Sequence, residues 1–541
     1  MITDRSRHAE QELVGELALI WAEVLGTAQV APDEDFYELG GDSLGALQIA
    51  ARCREAGLPV TTADVLTSAT VADLARLIAQ RQQTAPAEPT ASAKSAGGAA
   101  GTGQHGADGW LPLTGPQQWA LGLAVGDRNR LVKTQVLITQ PGADAELVGR
   151  AMRRVAAAHP ALRLRFLLSD GAVTAQQVLD RAEVPYEHAD VGELASLPQE
   201  IEAMRQRLTT MIDLSRGPVF ATGYVRGPEG EPGRLILAAH QLAIDAASWD
   251  LLRRHIDGAF ADLVAESDGQ PGPAADRYEE WVTAYQHYAR SEPVERQLPY
   301  WTGRIGPDLK APDHPVCLAA DGRSLAEWLS PEQSAVLLTE IPRRARIRAS
   351  DLLLGIFARA AADWSGRPGI YLDLLRHGRC GAVGTDLSLT VGYFTTVAPM
   401  WLAVPSDATA PQAARYVRSR FAAEPDDGTG YAALRYCGSD RTCTLLAAVP
   451  DSEISFSYQS QIPIRWQGSL TTGMVPDEQN EDIPPDWQRP NLIEMACAVI
   501  DGRLVAELWY CGERYTPESM RSLLTGHFAA GLAAAAIAAT G

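Results

Sequence analysis

One serine lies in a sequence context that could present its hydroxyl to a modifying enzyme. The segment from Phe36 to Leu44 reads FYELGGDSL, and its two glycines permit a tight turn directly before a run with helical periodicity. A serine at a helix start is exposed, and the positive end of the helix dipole suits a phosphate ester there. The alternative is structural, because Asp42 and Ser43 are both favoured as helix caps.

The region from 10 to 80 resembles the acyl and peptidyl carrier protein family. In that family the serine of Gly-Gly-Asp-Ser-Leu receives 4'-phosphopantetheine from coenzyme A. The resemblance implies that Ser43 is the covalent attachment residue, with Phe36, Leu39 and Leu44 packing beside it. It also implies partners: a phosphopantetheinyl transferase, an upstream adenylation domain and further synthetase modules, as in antibiotic biosynthesis.

A histidine and an aspartate follow a second feature, the strand-like apolar run at 235–239. The sequence continues as HQLAIDA from His240 to Ala246, with Gln241 and Asp245 between them. A single His and Asp at a strand end are usually structural. A histidine in such a place can also transfer a proton.

Three further motifs accompany the segment at 240–249 and together resemble a known protein family. WLPLTGPQQ at 110–118, HPALRLRF at 159–166 and YW at 300–301 stand at the expected intervals from residues 240–249. Together they resemble the condensation superfamily of nonribosomal peptide synthetases across 110–541. The resemblance implies an α/β domain of two sublobes, each similar to chloramphenicol acetyltransferase, with a tunnel between them.

Four markers resemble the epimerization branch of that superfamily. They are DLSLTVGYFT at 386–395, HGR at 377–379, GY at 430–431 with LRY at 434–436, and ISFSYQSQ at 454–461. We therefore expect an ancestry shared with epimerization domains rather than with domains that form ordinary peptide bonds.

The sequence departs from the family where its chemistry is expected. The superfamily motif is His-His-x-x-x-Asp-Gly, and Gln241 replaces its second, catalytic histidine. Leu375-Arg376 replaces the Glu-Gly that precedes His-Gly-Arg in the epimerization branch. Each well-placed acid or base contributes about 10²–10⁴-fold to proton transfer. We therefore expect no epimerase activity by the family mechanism, and structural roles for His240 and for Asp245, the latter paired with an arginine.

Three residues are candidates for residual chemistry. His377 belongs to a motif that lines the site in the epimerization branch, and Cys380 follows a basic residue that would favour a thiolate. A free cysteine is more often a small buried hydrophobe. Gln241 can orient an amine or hydroxyl by hydrogen bonding, and holding reactants in line lowers a barrier without a base.

Two functions stay open for the second unit. In one, it is an atypical acyltransferase or cyclase that condenses, cyclises or releases the chain tethered to Ser43. In the other, it is catalytically inactive, binds the carrier and recruits a tailoring enzyme.

These residues require at least two folding units. Residues 1–82 are predicted to form an all-α carrier of four helices with a long first loop, and 83–109, rich in Ala, Gly, Pro, Ser and Thr, to form a flexible linker. Residues 110–285 and 286–541 are predicted to form the N-terminal and C-terminal sublobes. Strands are predicted at 133–139, 234–239, 369–374, 453–459 and 494–509, and helices at 146–158, 249–264, 332–340 and 515–538.

Composition excludes other classes of function. A net charge of −20 repels a phosphate backbone, which argues against nucleic-acid binding. The apolar run at 528–539 is shorter than the about 18–20 residues that span a bilayer, and the N-terminus lacks a signal sequence. Seven scattered cysteines predict neither a disulfide framework nor a metal site. We expect a cytoplasmic protein without membrane association.

Overall fold

The computed structural model describes residues 2–84, 109–123, 126–169, 171–181, 183–266, 277–303, 317–379, 381–475 and 483–540. Most of the predicted linker, from 85 to 108, lies outside these residues, as does Cys380.

The N-terminal unit is a bundle of four helices, as predicted. They are α1 (Ile2–Leu25), α2 (Ser43–Glu55), α3 (Thr62–Thr67) and α4 (Val71–Thr84). Apolar residues at helical spacing meet in one core, where Leu17, Trp21 and Leu74 are fully buried. Asp42 caps α2, and Thr61 with Asp64 forms a capping box at the start of α3.

The next part of the chain alternates helices and strands. Its elements are β1 (Leu111–Pro112), α5 (Gly115–Gly122), β2 (Val132–Pro141), α6 (Ala145–Ala158), β3 (Leu164–Ser169), β4 (Ala172–Val178), β5 (Tyr186–Asp190), α7 (Leu197–Thr210), β6 (Phe220–Arg226), β7 (Pro232–His240), α8 (Ala246–Val264), α9 (Tyr278–Ala289), α10 (Glu292–Glu295) and α11 (Leu298–Thr302). A five-stranded sheet has the order β12-β2-β7-β6-β5, and its β12 (Thr471–Met474) comes from far along the chain. A smaller sheet has the order β1-β4-β3.

The last part of the chain is built around a six-stranded sheet of order β10-β9-β11-β13-β14-β8. Its strands are β8 (Gly322–Trp328), β9 (Ile370–Arg376), β10 (Thr396–Leu402), β11 (Ile454–Ile462), β13 (Ile493–Ile500) and β14 (Arg503–Cys511). Its helices are α12 (Pro331–Ala335), α13 (Ile341–Ala345), α14 (Ala349–Ser365), α15 (Ala410–Ala422), α16 (Thr429–Cys437), α17 (Asp440–Ala447), α18 (Pro517–Arg521) and α19 (Ala530–Thr540). Strands β9 and β13 both run parallel to β11. Parallel strands are usually covered by helices, and here the apolar residues of these three strands are buried in one core with those of the helices.

Two predictions, one of a strand and one of a boundary between sublobes, differ from the structure. The single strand predicted at 494–509 is a hairpin, because Asp501 and Gly502 both adopt positive φ, 50° and 71°, and reverse the chain between β13 and β14. The boundary predicted between 285 and 286 falls inside α9, which continues without a break to Ala289.

The C-terminal apolar segment is longer than the sequence prediction allowed. Residues Pro517–Ala539 form one helical stretch of 23 residues, long and apolar enough to cross a membrane by length and composition alone. Its side chains Met520, Phe528 and Leu532 are fully buried in the core of the six-stranded sheet. One face of this stretch therefore packs in the core of the C-terminal part of the chain.

Candidate functional site

Ser43 is the first residue of α2, and its side chain is exposed. The cap of this helix is Asp42, whose Oδ1 accepts the Gly45 N–H at 2.8 Å. The two candidate caps are therefore distinguished: Asp42 fills that role, and Ser43 stands one residue later at the positive end of a 13-residue helix. An exposed hydroxyl at such a helix end fits the phosphate ester of 4'-phosphopantetheine, so the residues present agree with the expected cofactor.

The loop before Ser43 is held by an aromatic anchor. Phe36 is fully buried, with its ring centroid 5.2 Å from that of Trp21 in an edge-to-face arrangement. A Cβ at Gly41 would overlap the ring and carbonyl of Phe36, so only glycine fits where the backbone passes this ring. Leu39 and Leu44, both predicted to pack here, are partly buried.

The carrier rests on the second unit through the C-terminal half of α2. Arg54 forms an ion pair with Asp386, and Glu55 forms one with Arg254 on α8. Ala51 is 2 % exposed and joins the apolar cluster that includes α8 and the segment after Asp386. Two ion pairs of opposite polarity around an apolar contact thus fix the orientation of α2.

The attachment loop contacts the last part of the chain as well. The Arg348 guanidinium lies 4.2 Å from the ring centroid of Tyr37, and the Gly26 backbone approaches the side chain of Gln461 at the end of β11. The exposed Ser43 therefore belongs to a docked carrier, held at both ends of α2.

His240, the last residue of β7, has both ring nitrogens engaged. Its Nε2 donates to the Arg128 carbonyl at 2.7 Å, and its Nδ1 accepts the Leu242 N–H at 3.2 Å. Burial lowers the pKa of His240 to about 4, so the ring is neutral near pH 7. These bonds leave His240 without a free nitrogen for proton transfer and support the structural role predicted for it.

Asp245 is the centre of a buried polar network. It pairs with Arg379 through both carboxylate oxygens, at 3.0 and 3.2 Å, and the side chains of this pair are 1 % and 2 % exposed. It also accepts N–H bonds from Ser248 at 2.9 Å and Phe394 at 3.1 Å. Ser248 belongs to α8, whereas Arg379 and Phe394 both belong to the segment that connects β9 to β10. The network therefore ties the start of α8 to that segment.

Gln241, which the sequence resemblance places at the position of the catalytic histidine, lies in the single helical turn after β7. Its Nε2 lies 3.5 Å from the Tyr393 hydroxyl, a long and weak hydrogen bond. Tyr393 is 3 % exposed, and burial raises the pKa of its phenol, which therefore keeps its proton. The site thus contains a neutral amide and a neutral phenol, both able to donate hydrogen bonds.

Sequence reasoning did not single out Tyr393 as a site residue. Its signal was present in the motif Val391-Gly-Tyr-Phe-Thr395, where the epimerization branch has Trp in place of Tyr. The tyrosine adds a hydroxyl where the parent branch has an indole.

His377 does not have the geometry of a replacement base. Its Nδ1 accepts the Arg379 N–H at 3.1 Å, which places the proton of the neutral ring on Nε2. Burial, with the positive charges of Arg379 and Arg376, lowers the pKa of His377 to about 4. The neutral ring therefore presents a donor, and Arg376 itself bonds to Glu424 at 2.5 Å.

Comparisons with known proteins agree with this division of the chain. Residues 16–78 match the family described as phosphopantetheine attachment site, and residues 107–537 match the family described as condensation domain.

The curated relatives are named as synthases. A linear gramicidin synthase protein of Brevibacillus parabrevis is 27% identical over 524 residues, which is 95% of this chain and 10% of that protein. Chondramide synthase cmdD of Chondromyces crocatus is 28% identical over 530 residues, 96% of this chain and 13% of that protein. The chain spans only about a tenth of the length of these relatives.

Two solved structures share the fold of the larger unit. The epimerization domain from the third module of tyrocidine synthetase B has a TM-score of 0.70 at 23% identity, covering 80% of this chain and 97% of that one. The X-domain in its complex with OxyB from teicoplanin biosynthesis has a TM-score of 0.59 at 18% identity, covering 79% and 93%. At these identities the likeness is one of fold.

Proposed function

Because the chain belongs to the condensation-domain family and begins with a phosphopantetheine attachment domain, we propose that it works in nonribosomal peptide biosynthesis as a carrier–condensation didomain. In this proposal Ser43 carries 4'-phosphopantetheine, whose thiol holds an aminoacyl or peptidyl group. The docked carrier presents that group to the site around Gln241. The observation that carries the proposal is the exposed Ser43 on a helix already held against the second unit by Arg54 and Glu55.

The site supports positioning rather than proton abstraction. The two histidines described there are neutral, with His240 fully engaged and His377 presenting a donor. Gln241 and Tyr393 donate hydrogen bonds but do not accept a proton near pH 7. The larger unit is therefore proposed to orient an acyl group and an attacking amine or hydroxyl for an atypical condensation, cyclisation or release. It does not epimerise the tethered residue.

A second function is favoured by the same observation, the lack of an available base among the described site residues. The larger unit would then bind the loaded carrier and hold a tailoring enzyme beside it. The X-domain, of similar fold, is solved in complex with OxyB. In this alternative, substitutions at Gln241 and Tyr393 cause no loss of function.

Turnover of the loaded chain distinguishes the two. The holo-protein, loaded at Ser43 and supplied with candidate amines, is followed by intact-mass spectrometry. Catalysis by positioning predicts loss of the tethered group from the wild type and about a tenfold or greater slowing in Gln241→Ala. A persistent tethered group that Gln241→Ala does not affect would exclude the enzymatic function and favour the platform. Ser43→Ala, which cannot be loaded, is the control.

The proposed location in the cell follows from the proposed function. Carrier loading depends on coenzyme A and adenylated substrates, and we propose that the protein is cytoplasmic. The transferase, the adenylation domain and further synthetase modules are its proposed partners.

A further inference from the structure

The attachment loop of the carrier faces an arginine-rich stretch of the C-terminal part of the chain. Four of the six residues from 343 to 348 are arginine, at the end of α13 and before α14. A cleft of about 690 Å³ lies between this stretch and the carrier, lined by Glu38, Glu340, Arg343, Arg344 and Arg346. In a chain of net charge −20, this is a local concentration of positive charge beside the attachment residue.

Arg348 is the member of this stretch whose side chain lies over an aromatic ring of the attachment loop. Its guanidinium carbon lies over the ring of Tyr37 of the carrier, 4.2 Å from the ring centroid. Burial raises the pKa of Asp42, and the Gly45 N–H and the positive charge of Arg348 act in the opposite direction. The charge of Arg348 therefore reaches the residue that immediately precedes Ser43.

The donor groups of Arg348 are suited to an oxyanion. The contact with the Tyr37 ring takes up none of the hydrogen-bond acceptors of an anion, and the five N–H donors of the guanidinium form a planar fork that matches a phosphate. Asp42, the nearby carboxylate, already uses Oδ1 to cap α2 through Gly45. Among the residues that the structure describes, no carboxylate forms an ion pair with Arg348, and its side chain is partly buried.

We propose that Arg348 binds the phosphodiester of the 4'-phosphopantetheine on Ser43 when the carrier is docked, with Arg343 and Arg346 adding positive potential. A phosphodiester carries one negative charge and two free oxygens, which the guanidinium fork matches in geometry. The proposal rests on the attachment at Ser43. It implies that the modified carrier docks more tightly than the unmodified one, so that the larger unit distinguishes holo from apo chain.

The test is hydrogen–deuterium exchange on the full-length chain in its apo and holo forms. Docking buries α2 and the segment that follows Asp386, so protection of these two segments reports the docked population. We expect the holo wild type to show about tenfold slower exchange there than the apo wild type, and Arg348→Ala to abolish this difference. Arg348→Lys, which keeps the charge but loses the fork, should retain part of it.

Arg418→Ala is the matched control. Arg348 and Arg418 both act on the buried Asp351, and the contact that the structure describes with the carrier ring of Tyr37 is made by Arg348. Arg418→Ala should keep the full difference between holo and apo chain. Phosphorus NMR of the holo-protein adds a direct readout: the phosphodiester resonance should shift and sharpen in Arg348→Ala and stay unchanged in Arg418→Ala.

Two failures are distinguishable. If intact-mass spectrometry shows that Ser43 is not modified, the attachment proposal is wrong and this one falls with it. If Ser43 is modified but holo Arg348→Ala protects α2 as well as the holo wild type, and its phosphorus resonance is unchanged, Arg348 does not bind the phosphate and only this proposal is overturned.

Discussion

Reversing the charge at one ion pair should release the carrier from its docked position. In Arg54→Asp, an acidic side chain would face Asp386 where the structure has an ion pair. The Arg54 and Asp386 side chains are 26 % and 20 % exposed, so the pair is neither fully exposed nor fully buried. Exposed pairs contribute about 0–1 kcal/mol, and breaking buried ones costs about 3–5 kcal/mol.

A pair of intermediate burial should therefore be worth about 1–2 kcal/mol, which corresponds to a roughly 5–30-fold decrease in the docked population. Hydrogen–deuterium exchange of α2 in the full-length chain measures this decrease. The double variant Arg54→Asp with Asp386→Arg restores opposite charges and should recover most of the protection. Arg76→Asp is the control, because Arg76 pairs with Asp73 within the carrier.

The docking account would be refuted if Arg54→Asp left the exchange of α2 unchanged. It would equally be refuted if the double variant docked no better than either single one, because the contact would then lack the specific pairing that the structure shows. Raising the ionic strength should weaken docking of the wild type, since a partly exposed pair is screened.

Three further predictions concern the site itself. Asp245→Asn leaves the buried Arg379 charge without its partner and should lower the free energy of unfolding by about 3 kcal/mol, measured by urea denaturation. Gly378→Ala should destabilise by more than about 1 kcal/mol, seen as a lower Tm, because φ is +64° and a Cβ would overlap the Phe394 carbonyl; an unchanged Tm would contradict this geometry. His240, whose pKa falls from 6.5 to about 4 on folding, stabilises the fold above pH 6.5, and that contribution is lost as pH falls toward 4. Urea denaturation across this range should show a slope that is smaller in His240→Gln than in the wild type by up to about 1.4 kcal/mol per pH unit, while His377, whose pKa is also lowered to about 4, keeps contributing in both. A slope that His240→Gln leaves unchanged would argue against a neutral buried ring at His240.

The sequence was most informative where the chemistry is local. Phe36 to Leu44 is one continuous segment, and its turn, buried aromatic anchor and exposed serine all follow from neighbours in the chain. The four-helix carrier was likewise predicted, and the five predicted strand runs correspond to β2, β7, β9, β11 and the β13–β14 pair, whereas the other eight strands that the structure describes were not predicted. The hairpin at Asp501 and Gly502 was missed because both flanking strands are apolar, so the two ran together as one pattern.

Long-range contacts were beyond such reasoning. An arginine partner was expected for Asp245, but Arg379 lies 134 positions away and only the fold brings the two together. Tyr393 meets Gln241 across 152 positions, and Arg54 meets Asp386 across 332. Sequence alone gives no means of matching one such charge among the 44 arginines of the chain to its partner.

Exchange of the Cα proton of a tethered aminoacyl group tests the central claim most directly. The holo-protein is loaded at Ser43 with an L-aminoacyl group in D₂O, and the released amino acid is analysed by mass spectrometry and chiral chromatography. Gln241 and Leu375 stand at the positions of the two catalytic groups of the epimerization branch. We therefore predict that Cα takes up no more deuterium than it does in the same aminoacyl thioester free of the protein, and that the amino acid keeps its L configuration. Deuterium incorporation or D-amino acid in the wild type would contradict the account, because a base would then be acting on the carrier-bound substrate.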